Sequence, residues 1–240
     1  AGLEVRFDRA LDELWMAYQP IVEAHSGVLF GAEALMRSRE PSMASPSALL
    51  DAATLLGRLP RLGRRVRELA AADLAGAPSD HLHLFVNLHP SDLLDADLVR
   101  ETAPLTALAP RVVLEVTERA ALEESEAVRQ RLARLRELGF RLAVDDIGAG
   151  YSGLKSFTEL APEWVKIDMS LVRQVHRSAR RQRTIAALCR LCHENGCLVV
   201  GEGVETVDER DTLVELGCDL IQGFLIGRPD AYLPRRGHLT

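Results

Sequence analysis

Eight short apolar runs, spaced through a chain of 240 residues, constrain the fold more than any other feature. They are "MAYQPIV" (Met16 to Val22), "VLFGAEALM" (Val28 to Met36), "LHLFVNL" (Leu82 to Leu88), "RVVLEVT" (Arg111 to Thr117), "FRLAVDD" (Phe140 to Asp146), "WVKID" (Trp164 to Asp168), "CLVVGEG" (Cys197 to Gly203) and "DLIQGF" (Asp219 to Phe224). From the second onward they are separated by stretches of helical periodicity. "SALLDAATLLGRL", "SEAVRQRLARLRELG" and "VDERDTLVELG" are the clearest, and the last two end in glycine, a common helix stop. Strands alternating with helices imply a mainly parallel sheet covered by helices, and eight strands favour closure into a barrel. The first two runs are joined only by "EAHSG", too short for a helical crossover, so they should pair antiparallel. The expected fold is an α/β barrel with one antiparallel strand near the N-terminus. Residues 1–14 read as a boundary or linker helix, 15–232 as the domain and 233–240 as a tail.

Nearly half of the residues are hydrophobic, 27% are charged, and the formal net charge is −6. One large core is within reach of this length. An acidic balance argues against wrapping a nucleic-acid polymer. No apolar run is long enough to insert in a bilayer and no signal-peptide pattern opens the chain, so a cytoplasmic domain is expected. "CRLCH" (Cys189 to His193) fits a haem-attachment pattern, but its surroundings have helical periodicity. Cys189 and Cys192 fall on the face of Ile185 and Leu188 and read as small buried hydrophobes. The basic runs "RLPRLGRRVR" and "HRSARRQR" lack interleaved aromatics and read as solvated helix faces.

Polar residues collect near the C-terminal ends of the strands. The second run carries Glu33, the third Asn87, the fourth Glu115 and Glu118, and the fifth Asp145 and Asp146. The sixth carries Lys166 and Asp168, the seventh Glu202 and Glu205, and the eighth Gln222. In a closed α/β barrel these ends converge on the face where active sites sit. Scattered salt bridges explain any one of them, but not seven strands at once. Glu33, Glu115, Asp145, Asp146 and Glu202 face only Lys166 as counter-charge, so such a cluster takes up protons or binds cations. Carboxylate and amide oxygens suit hard divalent ions, and no His/Cys ligand set lies among these strand ends. The expectation is Mg²⁺ or Mn²⁺, two ions about 3.5–4 Å apart, and phosphoryl chemistry.

The ordered stretches "YQPIVEAHSGVLFGAEALMR", "FVNLHP", "LEVTE", "VDDIGAGYSGL", "VKID", "GEGVET" and "LIQGFLIGRP" resemble the EAL domain family, bacterial phosphodiesterases of the second messenger cyclic di-GMP. The resemblance implies a modified TIM barrel and metal-dependent opening of cyclic di-GMP to linear pGpG. The alternative is a weak or inactive cyclic di-GMP receptor domain that regulates a neighbour. By motif, Glu33, Asn87, Glu115 and Asp145 would hold one metal, with Asp145 and Asp146 serving the second. Lys166 and Glu202 would act at the attacking water, Glu118 would hold the "DDIGAG" loop, and Glu205 would belong to the same catalytic set. Gln19, Arg37, Asp168, Gln222 and Pro229 would meet the substrate. A homodimer and fusion to sensory or GGDEF-type domains are the implied partners. Four positions depart from the family pattern: Ile147 for Phe, His89 for Ser, Gly201 for Ala and Ser38 for an aromatic. None removes an expected ligand, which favours an active enzyme. His89 reads as an exposed loop residue.

Overall fold

The computed structural model describes residues 2–77, 79–117, 126–148 and 160–235. Eight strands close into a barrel in chain order: β1 (Leu14–Glu23), β2 (Leu29–Ser38), β3 (His83–Leu88), β4 (Val112–Thr117), β5 (Arg141–Ile147), β6 (Trp164–Ile167), β7 (Leu198–Gly201) and β8 (Leu220–Gln222). β1 runs antiparallel to both β2 and β8, and every other neighbouring pair is parallel. The fold is therefore the modified α/β barrel expected from the strand pattern. All eight predicted runs are strands, with ends moved by a few residues.

Among the helices outside the barrel are α1 (Gly2–Asp12), α2 (Pro46–Leu55), α3 (Leu59–Ala75), α4 (Glu126–Glu137), α5 (Ala179–Glu194) and α6 (Val207–Leu216). α1 buries Phe7, Ala10 and Leu11 in the same apolar core as the strands, and Ser38 Oγ donates to its Ala10 carbonyl at 3.0 Å. "SALLDAATLLGRL" does not form one helix. Its first turns are α2, capped by the Ser45 hydroxyl, and the chain then turns at Gly57 (φ 64°) before α3 begins with Pro60 in its first turn. A positive φ suits glycine and proline suits a helix start, so the break is local chemistry overriding apolar periodicity. α6 ends on Gly217 at φ 94°, the left-handed stop expected there.

On the cysteine helix the structure agrees with the sequence pattern: Ile185, Cys189 and Cys192 are its buried face. The run Arg58 to Arg67 is not simply a solvated face. Arg67 is buried and bonds Asp92 at 2.9 Å and Asp95 at 2.6 Å, while Arg58 bridges Glu4 and Asp8 of α1. The apparent excess of positive charge is matched by acids distant in sequence.

The barrel interior is built on a period of two. Ile21, Phe85, Val113, Ala143, Trp164, Val200 and Leu220 form an apolar plug, joined from its edge by Phe30. On each of β3 to β8, the residue two positions after the plug residue is polar: Asn87, Glu115, Asp145, Lys166, Glu202 and Gln222. Side chains two apart on a strand share a face, so each strand seals the barrel with one residue and delivers a polar group above it with the next. On β1 the order is reversed, Gln19 preceding Ile21, because that strand runs the other way.

Candidate active site

The polar layer converges on one ammonium group. Lys166 is fully buried, and its Nζ lies 2.7 Å from Glu115, 2.7 Å from Glu202, 3.3 Å from Glu33 and 3.5 Å from Asp145. Glu33 also accepts hydrogen bonds from Asn87 Nδ2 at 2.8 Å and Gln222 Nε2 at 2.7 Å. Gln222 reaches Gln19 at 3.1 Å, and Gln19 donates to the Gly227 carbonyl, tying the ring to the segment after β8. Side chains from strands far apart in the chain thus contact one another in a single layer.

Adjacent strand residues normally face opposite sides, yet Asp145 and Asp146 both reach the site. The pairing of β5 with β6 explains it. Val144 pairs with Val165 and Ile147 with Ile167, leaving two aspartates opposite the single Lys166. This is a bulge, and Asp146 takes the left-handed conformation at φ 62°. Aspartate tolerates that conformation better than most residues. The Asp146 N–H donates to Asp145 Oδ1 at 2.9 Å, which fixes the turn. Carboxylate oxygens of Asp145, Asp146 and Glu202 consequently lie within 4.8 Å of one another. Ile147, which departs from the family pattern, is buried in the strand ladder, and Gly148 follows at φ 110°.

One ammonium cannot balance this much negative charge. Burial, with the nearby Glu33 charge, raises the Glu115 carboxyl well above its ordinary range despite Lys166. Burial also pushes Glu202 up to about 8, the Lys166 charge opposing it. Burial and the Asp145 and Asp168 charges raise Asp146. Glu33 moves down: burial would raise it, but Lys166, Gln222 and Asn87 outweigh that. Lys166 is held well above its ordinary value, the four carboxylates overcoming the effect of burial. Apart from the Lys166 ammonium at Oε1, neither buried Glu115 oxygen has a hydrogen-bond donor. Buried acceptors short of donors, with carboxylate and amide oxygens gathered above an apolar plug, fit hard divalent cations.

The other predicted residues lie around this ring. Asp168 caps the one-turn helix Met169–Val172 by accepting the Ser170 N–H at 2.9 Å, and it lines a cavity of about 290 Å³ with Gln19, Glu33, Asp146, Glu202 and Gln222. Glu205 is exposed and paired with Arg173, which lines the same cavity. Arg37 sits on β2 beyond Glu33 and bonds its neighbour's carbonyl rather than the ring. Pro229 adjoins Asp230, which bridges to Tyr18 of β1. Glu118 and most of the loop after Gly148 lie outside the described residues. His89 is not an exposed loop residue. Its half-buried ring accepts the Ser91 N–H and caps the turn Pro90–Leu94, while the Asn87 amide bonds Glu33. Arg173 and Met169 also line the cavity, and no motif in the sequence points to them. Their signal is position alone: both follow the end of β6 on the site-bearing face.

A family model described as EAL domain matches residues 4–229. The chain belongs to the EAL domain family. This EAL domain is 33% identical to the cyclic di-GMP phosphodiesterase PA2567 of Pseudomonas aeruginosa, over 89% of this chain and 38% of that protein. The chain spans about a third of the length of the curated relatives it matches. Among solved structures, the PaMucR phosphodiesterase in complex with c-di-GMP superposes with a TM-score of 0.85 at 29% identity, covering 96% of this chain and 98% of that one. A manganese/cy-diGMP complex of Klebsiella pneumoniae BlrP1 superposes with a TM-score of 0.82 at 35% identity, covering 92% and 57%. No helix among the described residues is long and apolar enough to cross a membrane.

Proposed function

We propose that this EAL domain hydrolyses cyclic di-GMP to linear pGpG, dependent on Mg²⁺ or Mn²⁺. The observation that carries the reading is the bulge at Asp145–Asp146 opposite Lys166, which gathers two adjacent carboxylates into a ring with Glu33, Glu115 and Glu202. Glu33, Asn87, Glu115 and Asp145 would hold one divalent ion, and Asp145 and Asp146 a second. Ions held there would neutralise phosphodiester charge and make water a better nucleophile.

The chain's own residues do the rest. Glu202 takes the proton of the water that attacks phosphorus. Lys166, 2.7 Å from Glu202, holds that carboxylate in place and stabilises charge developing beside it. The bond from phosphorus to the 3′ oxygen breaks and that oxygen takes a proton from solvent water, giving a 5′-phosphate and a free 3′-hydroxyl, while Glu202 returns its proton to solvent. Gln19, Gln222 and Asp168 border the cavity that would seat the sugar-phosphate, and Arg37 and Pro229 would meet the substrate beyond its lining. Arg37 offers a planar fork suited to phosphate. Glu205 positions Arg173 at the rim, and Glu118, outside the described residues, would hold the loop after β5. The relatives' greater length supports a role as one module of a larger signalling protein, joined to sensory or GGDEF-type domains; a homodimer is the assembly proposed for it.

Incubation with cyclic di-GMP and either Mg²⁺ or Mn²⁺, followed by chromatography, tests the reading. The expected product is pGpG, absent when EDTA is added. Binding of cyclic di-GMP without product under either ion would make the domain a receptor. Mass photometry or sedimentation would decide the homodimer.

A further inference from the structure

Two large apolar side chains stand exposed beside the acidic ring: Met169, 45% accessible, and Phe224, 47% accessible. Scattered exposed apolar residues need no explanation, but these two line one cavity whose other walls include Glu33, Asp146 and Glu202. Their roots are fixed. Met169 opens the one-turn helix capped by Asp168. The backbone of Gly203, at φ 68°, lies directly on it, so that a Cβ on Gly203 would fall 2.5 Å from Met169 Cβ. The loop after β8 is just as close to the loop after β7: a Cβ on Gly223 would fall 2.1 Å from the Val204 carbonyl oxygen. Three loop roots are therefore locked together, while the thioether and the phenyl ring remain accessible. The Arg228 guanidinium sits over the Phe224 ring at 4.3 Å.

A cavity with carboxylates on one wall and two rigidly rooted apolar groups on another suits a ligand that is itself divided. A nucleotide is such a ligand: its phosphate belongs with the acidic, cation-binding ring, and its base offers a flat, polarisable surface. Thioethers make favourable contacts with aromatic rings, and bases stack on aromatic side chains. We propose that Met169 is a specificity-determining residue that packs against one purine of the dinucleotide, opposite or beside Phe224. This inference rests on the cyclic di-GMP reading of the site. A purine covers more of the thioether than a pyrimidine does, so the contact favours purine-containing cyclic dinucleotides.

Steady-state kinetics and equilibrium binding of cyclic di-GMP on Met169→Ala, Met169→Leu and Met169→Gln test it. Met169→Ala and Met169→Gln should raise KM and Kd about three- to tenfold. Their kcat should stay within about twofold of wild type, because the chemical groups are untouched. Met169→Leu, apolar and of similar volume, should stay close to wild type. Thermal midpoints should be unchanged in all three. An unchanged KM and Kd in Met169→Ala overturns the inference, as does a loss carried by kcat or one that follows a falling thermal midpoint. Met169→Gln matching wild type overturns it too, since an apolar contact would then not matter. If wild type binds cyclic di-GMP without cleaving it, the Kd values alone decide. If wild type neither binds nor cleaves it, the functional reading fails and takes this inference with it; wild-type turnover with an indifferent Met169→Ala fails this inference alone.

Discussion

Lys166 Nζ lies 2.7 Å from Glu115 Oε1, and the wholly buried Glu115 carboxylate has no other hydrogen-bond donor. The ammonium is thus its close counter-charge, and the same ammonium serves Glu33, Asp145 and Glu202. Removing one partner from a buried ionic group leaves the others uncompensated, at about 3–5 kcal/mol. Lys166→Met should lower the thermal midpoint by at least about 6 °C, given about 2–4 °C per kcal/mol for a domain of this size. Turnover should fall by more than about hundredfold. Thermal unfolding in EDTA and a pGpG assay measure both; a midpoint within about 2 °C of wild type, less than one kcal/mol, would mean that the carboxylates do not depend on the lysine.

Asp146 combines two demands that separate by substitution. Its backbone sits at φ 62° in the bulge, and its carboxyl joins the group with Asp145 and Glu202. Asp146→Asn keeps a side chain that tolerates the left-handed conformation, so stability should change by less than about 0.5 kcal/mol while turnover is lost. Asp146→Val should lose turnover and also about 1–2 kcal/mol of stability, because a β-branched residue resists that conformation. Equal stability in the two variants would contradict the strain argument.

The barrel and its polar layer are legible in the sequence because both follow from a period of two. Phe85 and Asn87, Val113 and Glu115, or Trp164 and Lys166 announce a sealed interior with a polar group above it. The short link "EAHSG" before β2 likewise announces the reversed strand. The bulge is not legible. "VDDI" reads as a continuing strand, and only the loss of one pairing partner on β6 turns both aspartates to the same side. The burial of Arg67 is hidden for a similar reason: Asp92 and Asp95 are 25 and 28 residues away, so local composition does not reveal them. Met169 and Arg173 escape notice because an apolar residue and an arginine after a strand carry no motif. Their meaning comes from the loops of β7 and β8 packed beside them.

That buried arginine makes a prediction far from the chemistry. Arg67 bonds Asp92 and Asp95 between α3 and the turns after β3, and burial raises the Asp92 carboxyl even against the arginine's charge. Arg67→Ala strands the Asp92 carboxylate, leaves Asp95 with Arg64 alone at 3.0 Å, and opens space, so it should cost about 3–5 kcal/mol. The folded fraction should keep kcat and KM within about twofold of wild type, because the substitution touches none of the groups that meet substrate. Urea unfolding and kinetics at a temperature where the variant is folded check the two halves. Wild-type stability in this variant would restore the solvated-face reading of the basic run.

Glu209 holds the loop that carries Glu202 and Glu205. Its carboxylate accepts the N–H groups of Gln174 at 2.8 Å, Glu205 at 2.9 Å and Thr206 at 3.1 Å, while the Thr206 hydroxyl accepts the Glu209 N–H. Burial alone would raise its pKa, but these backbone donors outweigh burial and hold it below the ordinary glutamate value. A depressed folded-state pKa adds stability that is fully present above the unfolded value, about 4.3, and is lost as pH falls through the folded one. Glu209→Gln should therefore cost about 1–3 kcal/mol at pH 7, charged hydrogen bonds being worth about that much. The difference from wild type should shrink steadily below about pH 4. Denaturant unfolding of both proteins across the acidic range up to neutrality measures it. A difference that is constant with pH, or that grows in acid, would show that the glutamate acts by shape and not by charge. Because the same loop root carries Glu202, the variant should also lose turnover at neutral pH without losing affinity for cyclic di-GMP.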